Sequence, residues 1–244
     1  MLVLALDTTT RAGSVALGRD GDVVEAFVGD HLRPHAERLP LDIIRLLHRH
    51  GVTPSDVDVF AVAIGPGSFT GLRIGIAAIQ GLAFASSRPV VGVSALEALA
   101  YAVLGGGPAW PLPRVGVWMD AQRDEVFSAI YERVEGDGPA HLKTVDEPAV
   151  GEPRGIALRW HALAAGSWFP VAGDGAVRYR KVLEGVAGPA VRVIDPPPLA
   201  PSIVALAEAR ARLGETIPPH AIRPLYVRRP DAELARDRRQ RGRQ

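Results

Sequence analysis

The first hundred residues pass through short apolar runs and helical segments in an order that few folds accommodate: three strands, then helix, strand, helix, strand, helix. Apolar runs bounded by turn residues predict strands, and alternating polar and apolar faces predict a helix over 35–50. The strands are predicted at residues 2–6, 14–17, 23–28, 59–64 and 90–93. The order indicates an antiparallel three-strand start followed by parallel crossovers, hence an α/β fold.

The second half repeats this order weakly. An apolar run over 115–119 ends at Asp120, as the run over 2–6 ends at Asp7, and residues 125–133 again favour a strand. Further strands are predicted at 169–172 and 191–194, and helices near 176–185 and 201–213. We therefore expect a duplicated fold with lobes at 1–104 and 105–226, followed by a disordered Arg-rich tail over 227–244.

Composition excludes several classes of protein. Hydrophobic residues make up 47% and charged residues 23%, which is typical of a globular chain, and the net charge of +1 gives no overall attraction to DNA or anionic membranes. The absence of cysteine excludes disulfides and thiolate chemistry. The uncharged stretch 74–87 is too short for a membrane span, and no secretory signal is visible. These features predict a cytoplasmic protein without a membrane anchor.

Two segments are candidates for binding an anion. The sequence DTTT over 7–10 follows the first strand, and the glycine-rich loop over 65–71 opens the second predicted helix, whose N-terminal amides favour negative charge. The candidate phosphate-binding residues are Asp7, Thr8, Thr10, Gly65, Gly67 and Ser68. The alternatives are an ordinary strand-ending turn and a tight strand-to-helix turn, because the loop lacks the lysine of a P-loop.

Metal and nucleophile motifs are weak. His31 and His35 lie four residues apart, but Pro34 between them argues against a shared helical face, and the HExxH and GxSxG patterns are absent. His35 and Glu37 fit the polar start of a helix better than a ligand pair. We therefore predict no metal site.

The helix after the glycine-rich loop carries no charge from Ile74 to Ser87. A helix at a protein surface normally has a polar face, so this one must be covered on nearly every side. Small residues at helical spacing, among them Gly71, Gly75 and Ala78, would allow close approach of a neighbour. The cover is either the second lobe or a partner protein.

Four motifs, in this order and spacing, resemble the TsaB (YeaZ) family. They are LALDTTT at 4–10, RPHAE at 33–37, GPGSFTGLRIG at 65–75 and PVVGVSALE at 89–97. The resemblance is strong over 2–100 and continues weakly through MDAQRDEV at 119–126 and PLYVR at 224–228, whereas residues 135–220 match poorly.

The resemblance implies a duplicated ribonuclease-H-like fold of the actin and Hsp70 type. It also implies a part in making N6-threonylcarbamoyladenosine at position 37 of tRNAs that read ANN codons. In that family this subunit has no catalytic residues, requires no cofactor and pairs with the related transferase TsaD. ATP and a divalent metal are expected on its partners, TsaE is the ATPase that docks on the pair, and TsaC makes the threonylcarbamoyl-adenylate. The chain would reach tRNA indirectly and form a homodimer when alone.

The resemblance further implies that the helices over 35–50 and 71–87 pair with the equivalent TsaD helices as a four-helix bundle. The interface residues expected on this basis are His35, Glu37, Leu39, Ile43, Gly71, Gly75, Ala78, Ile79 and Leu82. The phosphate-binding candidates would then be vestigial. Two alternatives stay open: an ATP-dependent small-molecule kinase or ATPase of the same fold and, with less support, a glycoprotease-like metallopeptidase.

Overall fold

A computed structural model describes residues 1–105, 114–134, 142–164, 167–189 and 191–228. The first sheet contains five strands in the order β3-β2-β1-β4-β5. Its strands are β1 (Leu2–Asp7), β2 (Ser14–Arg19), β3 (Asp22–Val28), β4 (Val59–Gly65) and β5 (Val90–Ser94). β1, β2 and β3 pair antiparallel, whereas β4 pairs parallel with β1 and with β5. The predicted meander and parallel crossovers are confirmed.

Three helices follow in the predicted positions. They are α1 (His35–Arg49), α2 (Phe69–Ala85) and α3 (Ala95–Leu104). The side chain of Ser68 accepts a hydrogen bond from the amide of Gly71 and that of Ser94 from the amide of Glu97, so a serine caps the start of α2 and of α3. Pro40 lies inside α1.

The second sheet has the matching order β10-β9-β6-β7-β8, which confirms the duplicated fold. Its strands are β6 (Arg114–Asp120), β7 (Val126–Arg133), β8 (Leu142–Gly151), β9 (Val171–Ala172) and β10 (Val193–Ile194). Its helices are α4 (Pro153–Ala164), α5 (Asp174–Arg178), α6 (Arg180–Ala187) and α7 (Ala200–Arg212). The helix predicted over 176–185 is therefore two short helices, and β8 and α4 lie in the region without a sequence prediction.

The two halves exchange their last helices. α3 packs against β6 and β7, and α7 packs against β1, β2 and β4. The apolar core between the sheets is built from both helices, with Leu96 and Leu99 of α3 beside Ile203 and Val204 of α7. The ion pair between Arg210 of α7 and Glu97 of α3, at 2.7 Å, joins them at one side. The lobe boundary near 104–105 stays a prediction, because each sheet takes one helix layer from the other half.

The outer face of each sheet has a separate core. α1 and α2 cover the first sheet with side chains such as Leu46 and Ile76, whereas α4, α5 and α6 cover the second around Trp118 and Trp160. Within the described ranges, the structure contains no helix with the length and apolar character of a membrane span.

Candidate functional site

A cleft of about 1160 Å³ opens between the two lobes. It is lined by the turns that follow β1 and β6, by the glycine-rich loop before α2 and by the segment 225–228. Because β1 and β6 are equivalent strands of the duplicated fold, their terminal carboxylates, Asp7 and Asp120, lie at corresponding ends of the two sheets.

Asp7 is buried and closes the turn that follows its strand. One carboxylate oxygen accepts hydrogen bonds from the amide of Thr9 at 2.8 Å and from the hydroxyl of Thr9 at 2.6 Å. Burial raises the pKa of Asp7, and the hydrogen bonds from Thr9 oppose that rise. The hydroxyl of Thr10 accepts the amide of Gly13 at 3.2 Å. Both polar side chains therefore serve the turn itself.

The glycine-rich loop packs directly on this turn. The amide of Ser68 donates to the carbonyl of Thr9 at 2.9 Å, and a Cβ at Gly67 would lie 2.7 Å from the same oxygen. Only glycine allows that approach. The six predicted phosphate-binding residues are thus brought together, as Asp7, Thr8, Thr10, Gly65, Gly67 and Ser68. Several of their polar groups bind one another, so phosphate binding at this junction remains a prediction without structural support.

The corresponding end of β6 carries an ion pair. Arg178 donates from Nη1 to Asp120 Oδ2 at 2.8 Å, and Asp174 accepts the amides of Asp120 and Gly175 at 3.0 and 2.9 Å. Burial raises the pKa of Asp174. The repeat in the sequence points to Asp120, whereas no signal in the sequence pointed to Arg178. Across the part of the chain that the structure describes, no three His, Asp or Glu side chains are grouped to hold a metal.

Near its end the chain contacts both lobes beside the cleft. In this closing segment, residues 222–228, the amide of Leu225 donates to the carbonyl of Ile64 at 2.7 Å. Arg228 then reaches the second lobe, where Nη1 donates to the carbonyl of Ala121 at 2.8 Å and Nη2 pairs with Glu125. Val227 and Arg228 were predicted to begin the disordered tail, but they belong to this segment. Residues 229–244 lie outside the described ranges.

A hydrogen-bonded chain links the cleft to the start of α1. His35 contacts the carbonyl of Thr10 through Nε2 at 2.9 Å and Arg38 Nη2 through Nδ1 at 2.8 Å. Because a guanidinium only donates, Nδ1 accepts and the proton sits on Nε2. Burial, followed by the charge of Arg38, lowers the pKa of His35. Arg38 is itself buried and pairs with Asp42 at 2.9 Å.

We expect this histidine to make the fold less stable in acid. The stabilisation from neutral His35 is fully present above the unfolded pKa of about 6.5 and is lost as the pH falls toward the lower folded pKa. The melting temperature measured from pH 7.5 to 5 should therefore fall less steeply for His35→Gln than for the unchanged protein. Equal slopes for the two proteins would contradict the assignment. His48→Gln is the control, since this side chain is exposed on α1.

The structure corrects part of the predicted partner interface. Leu39 and Ile43 of α1, and Gly71, Gly75 and Ile79 of α2, are buried against their own lobe. A Cβ at Gly75 would lie 2.2 Å from the hydroxyl of Thr8. Glu37 is exposed, and His35, Ala78 and Leu82 are partly exposed. The five buried residues are core positions, because they occupy the faces of α1 and α2 that pack on the sheet.

A different set of residues forms the outer face of these helices. Leu41 and Ile44 of α1 are exposed, Ile44 by 61%, and Phe84 of α2 is exposed by 80%. Ala77 and Gly81 share the face of Phe84, since they precede it by seven and three residues. We call Leu41, Ile44, Ala77, Gly81 and Phe84 the outer helix face. A Cβ at Gly81 would meet no atom within 4 Å.

Comparisons with known proteins agree with this architecture. A family model described as "TsaD: tRNA N6-adenosine threonylcarbamoyltransferase" matches residues 30–236. The protein named "tRNA threonylcarbamoyladenosine biosynthesis protein TsaB" from Escherichia coli (strain K12) is 37% identical over 171 residues, which are 70% of this chain and 71% of that protein. The chain belongs to the TsaB family. The Bacillus subtilis (strain 168) protein of the same name is 31% identical over 56% of this chain and 57% of its own length.

Solved structures extend the similarity to the whole fold. A Pseudomonas aeruginosa protein described as similar to peptidase YEAZ has a TM-score of 0.76 at 34% identity, covering 93% of this chain and 99% of that chain. "YeaZ from Pseudomonas aeruginosa" has a TM-score of 0.73 at 34% identity, covering 92% and 99%. Component A of the Acidaminococcus fermentans (R)-2-hydroxyglutaryl-CoA dehydratase shares only the fold, with a TM-score of 0.50 at 13% identity, covering 87% and 99%.

Proposed function

We propose that this TsaB family member takes part in forming N6-threonylcarbamoyladenosine on tRNA as a non-catalytic subunit that pairs with a TsaD-type transferase. The observation that carries the pairing is the outer helix face. Leu41, Ile44 and Phe84 expose apolar side chains on two adjacent helices, where an unpartnered protein normally has polar ones. The names of the similar proteins supply the pathway.

The chemistry of the cleft favours a non-catalytic role. Both carboxylates that end the central strands are occupied within the chain, Asp7 by Thr9 and Asp120 by Arg178. A metal ion would have to compete with the guanidinium of Arg178 for Asp120, and at Asp7 it would find one carboxylate oxygen already bonded twice to Thr9. We therefore assign the transfer reaction, together with ATP and any divalent metal, to the partner proteins.

The remaining partners follow from the same proposal. A TsaE-type ATPase docks on the pair, and a TsaC-type enzyme supplies the threonylcarbamoyl-adenylate that TsaD consumes. In the absence of TsaD, the outer helix face is covered by a second copy of this chain in a symmetric dimer. An ATP-dependent kinase is the alternative, and the volume of the cleft is the one observation in its favour.

A reconstitution tests the proposed function. We expect the chain to co-purify with a TsaD-type protein, and tRNA modification in a mixture of TsaC-, TsaD- and TsaE-type proteins to cease when the chain is omitted. ATP turnover by the chain alone should stay at the background rate and be unchanged in Asp7→Asn. Modification that proceeds at full rate without the chain would refute the proposal. ATP turnover that depends on Asp7 would favour the kinase.

A further inference from the structure

Two half-exposed aromatic rings lie side by side at the rim of the cleft. The rings of Phe69 and Tyr226 have centroids 5.8 Å apart and are tilted by 31°, and they are 46% and 39% exposed. The guanidinium of Arg73 lies 3.9 Å from the centre of the Phe69 ring. We call Phe69 and Tyr226 the aromatic platform.

The platform is held in place from both sides. Phe69 is the first residue of α2, directly after the capping Ser68, and Tyr226 follows Leu225, whose amide is bonded to the end of β4. Aromatic rings that stay exposed to water gain no free energy from burial in a free monomer, but they are suited to stacking with a planar ligand.

The cleft that the platform lines also carries positive charge. Arg11 and Arg33 line the same cleft. Arg11 donates to the carbonyl of His31 at 3.2 Å, and neither arginine is paired with an acid among the described residues. The cleft's acids are already engaged, since Asp120 is neutralised by Arg178 and Asp174 accepts two backbone amides. The rim therefore combines stacking surface with uncompensated cations, the combination that binds single-stranded nucleic acid.

We propose that this rim binds RNA directly, with an unpaired base stacked on the aromatic platform and the flanking phosphates on Arg11 and Arg33. The choice of tRNA as the RNA rests on the proposed function, whereas the stacking and the charge do not. A free nucleotide fits less well, because the glycine-rich loop offers few free groups for its phosphates. The amide of Ser68 is bonded to the carbonyl of Thr9, and Gly67 is packed against Thr9.

Binding of an anticodon stem-loop RNA to the full-length chain tests this. The loop carries 2-aminopurine, whose fluorescence falls when the base stacks. We expect Tyr226→Ala and Phe69→Ala each to weaken binding about five- to 150-fold and to abolish the quenching, and Tyr226→Phe to retain both. Arg11→Ala and Arg33→Ala should each lower the slope of log Kd against log salt by about 0.7.

The controls separate this proposal from the one above. Arg154→Ala removes an exposed arginine on α4, outside the cleft, and should leave both affinity and quenching unchanged. Equal binding by Tyr226→Ala and the unchanged protein would overturn the proposal, as would the absence of RNA binding. Pull-down of TsaD by Tyr226→Ala tests the pairing separately, because Tyr226 lies off the outer helix face.

Discussion

Replacing Gly81 with leucine should weaken pairing with a TsaD-type partner about five- to 150-fold while leaving the melting temperature unchanged or slightly higher. A new side chain at this position points into open space in the single chain, because its Cβ would meet no atom within 4 Å. Leucine is also the better helix former, by up to about 1 kcal/mol. At a close helix–helix contact, the same side chain would hold the partner away from Ala77 and Phe84.

A matched substitution exists elsewhere in the chain. Gly185 lies within α6 of the second lobe, and its added Cβ would likewise meet nothing within 4 Å. Gly185→Leu should therefore change neither the fold nor the pairing. Titration calorimetry with the TsaD-type protein, and the rate of tRNA modification, are the measurements. If a well-folded Gly81→Leu variant binds with full affinity, the outer helix face is not the interface.

The sequence predicted that α2 must be covered, but it could not show on which side. From Ile74 to Ser87 the residues of this helix are uncharged on every side, so no polar stripe marks the side that faces solvent. Gly75 fits a partner interface by its size and spacing, and Ile79 was expected there from the family resemblance, yet both are buried within the chain's own lobe. For α1 the sequence carried more information. The sequence predicts a polar stripe of Arg38, Asp42, Arg45 and Arg49, and apolar residues of the other face such as Leu39 and Ile43 are buried. Arg38 departs from this pattern, since it is buried and paired with Asp42.

The element order was predictable because its local signals were strong. Apolar runs ending in turn residues define β1 and β4, and serines cap α2 and α3. β8 carries no such signal. Its residues are only partly buried and include Lys143, Asp146 and Glu147, so the sequence shows neither an apolar run nor a clean alternation. The short helix α5 and the two-residue strands β9 and β10 depend on the packing around them.

The sequence predicted some residues of the candidate site but not their partners. The repeat of an apolar run followed by aspartate identifies Asp7 and Asp120, and glycines mark the loop that packs on Thr9. The partners of these residues come from distant parts of the chain. Arg178 reaches Asp120 from α5, and Tyr226 reaches Phe69 from the closing segment. No periodicity relates such pairs, so only the folded structure brings them together.

Replacing Gly75 should damage the fold rather than a partner interface. A Cβ there would lie 2.2 Å from the hydroxyl oxygen of Thr8 and 3.3 Å from its Cβ, in a place where Thr8 is almost fully buried. Overpacking of a core costs about 1–3 kcal/mol, and each kcal/mol lowers the melting temperature of a chain of this size by about 2–4 °C. We therefore expect Gly75→Ala to lower the melting temperature by about 2–12 °C and Gly75→Leu to lower it further.

A second substitution can relieve the clash. The hydroxyl of Thr8 has no hydrogen-bond partner among the described residues, so Thr8→Ala loses no bond and removes the oxygen that an added Cβ would meet. Gly75→Ala should therefore lower the melting temperature less when it is added to Thr8→Ala than when it is added to the unchanged protein. Such a difference is a coupling between neighbouring residues. Strictly additive effects would contradict the clash with Thr8. A Gly75→Leu variant that melts normally but fails to bind TsaD would place Gly75 at the partner interface.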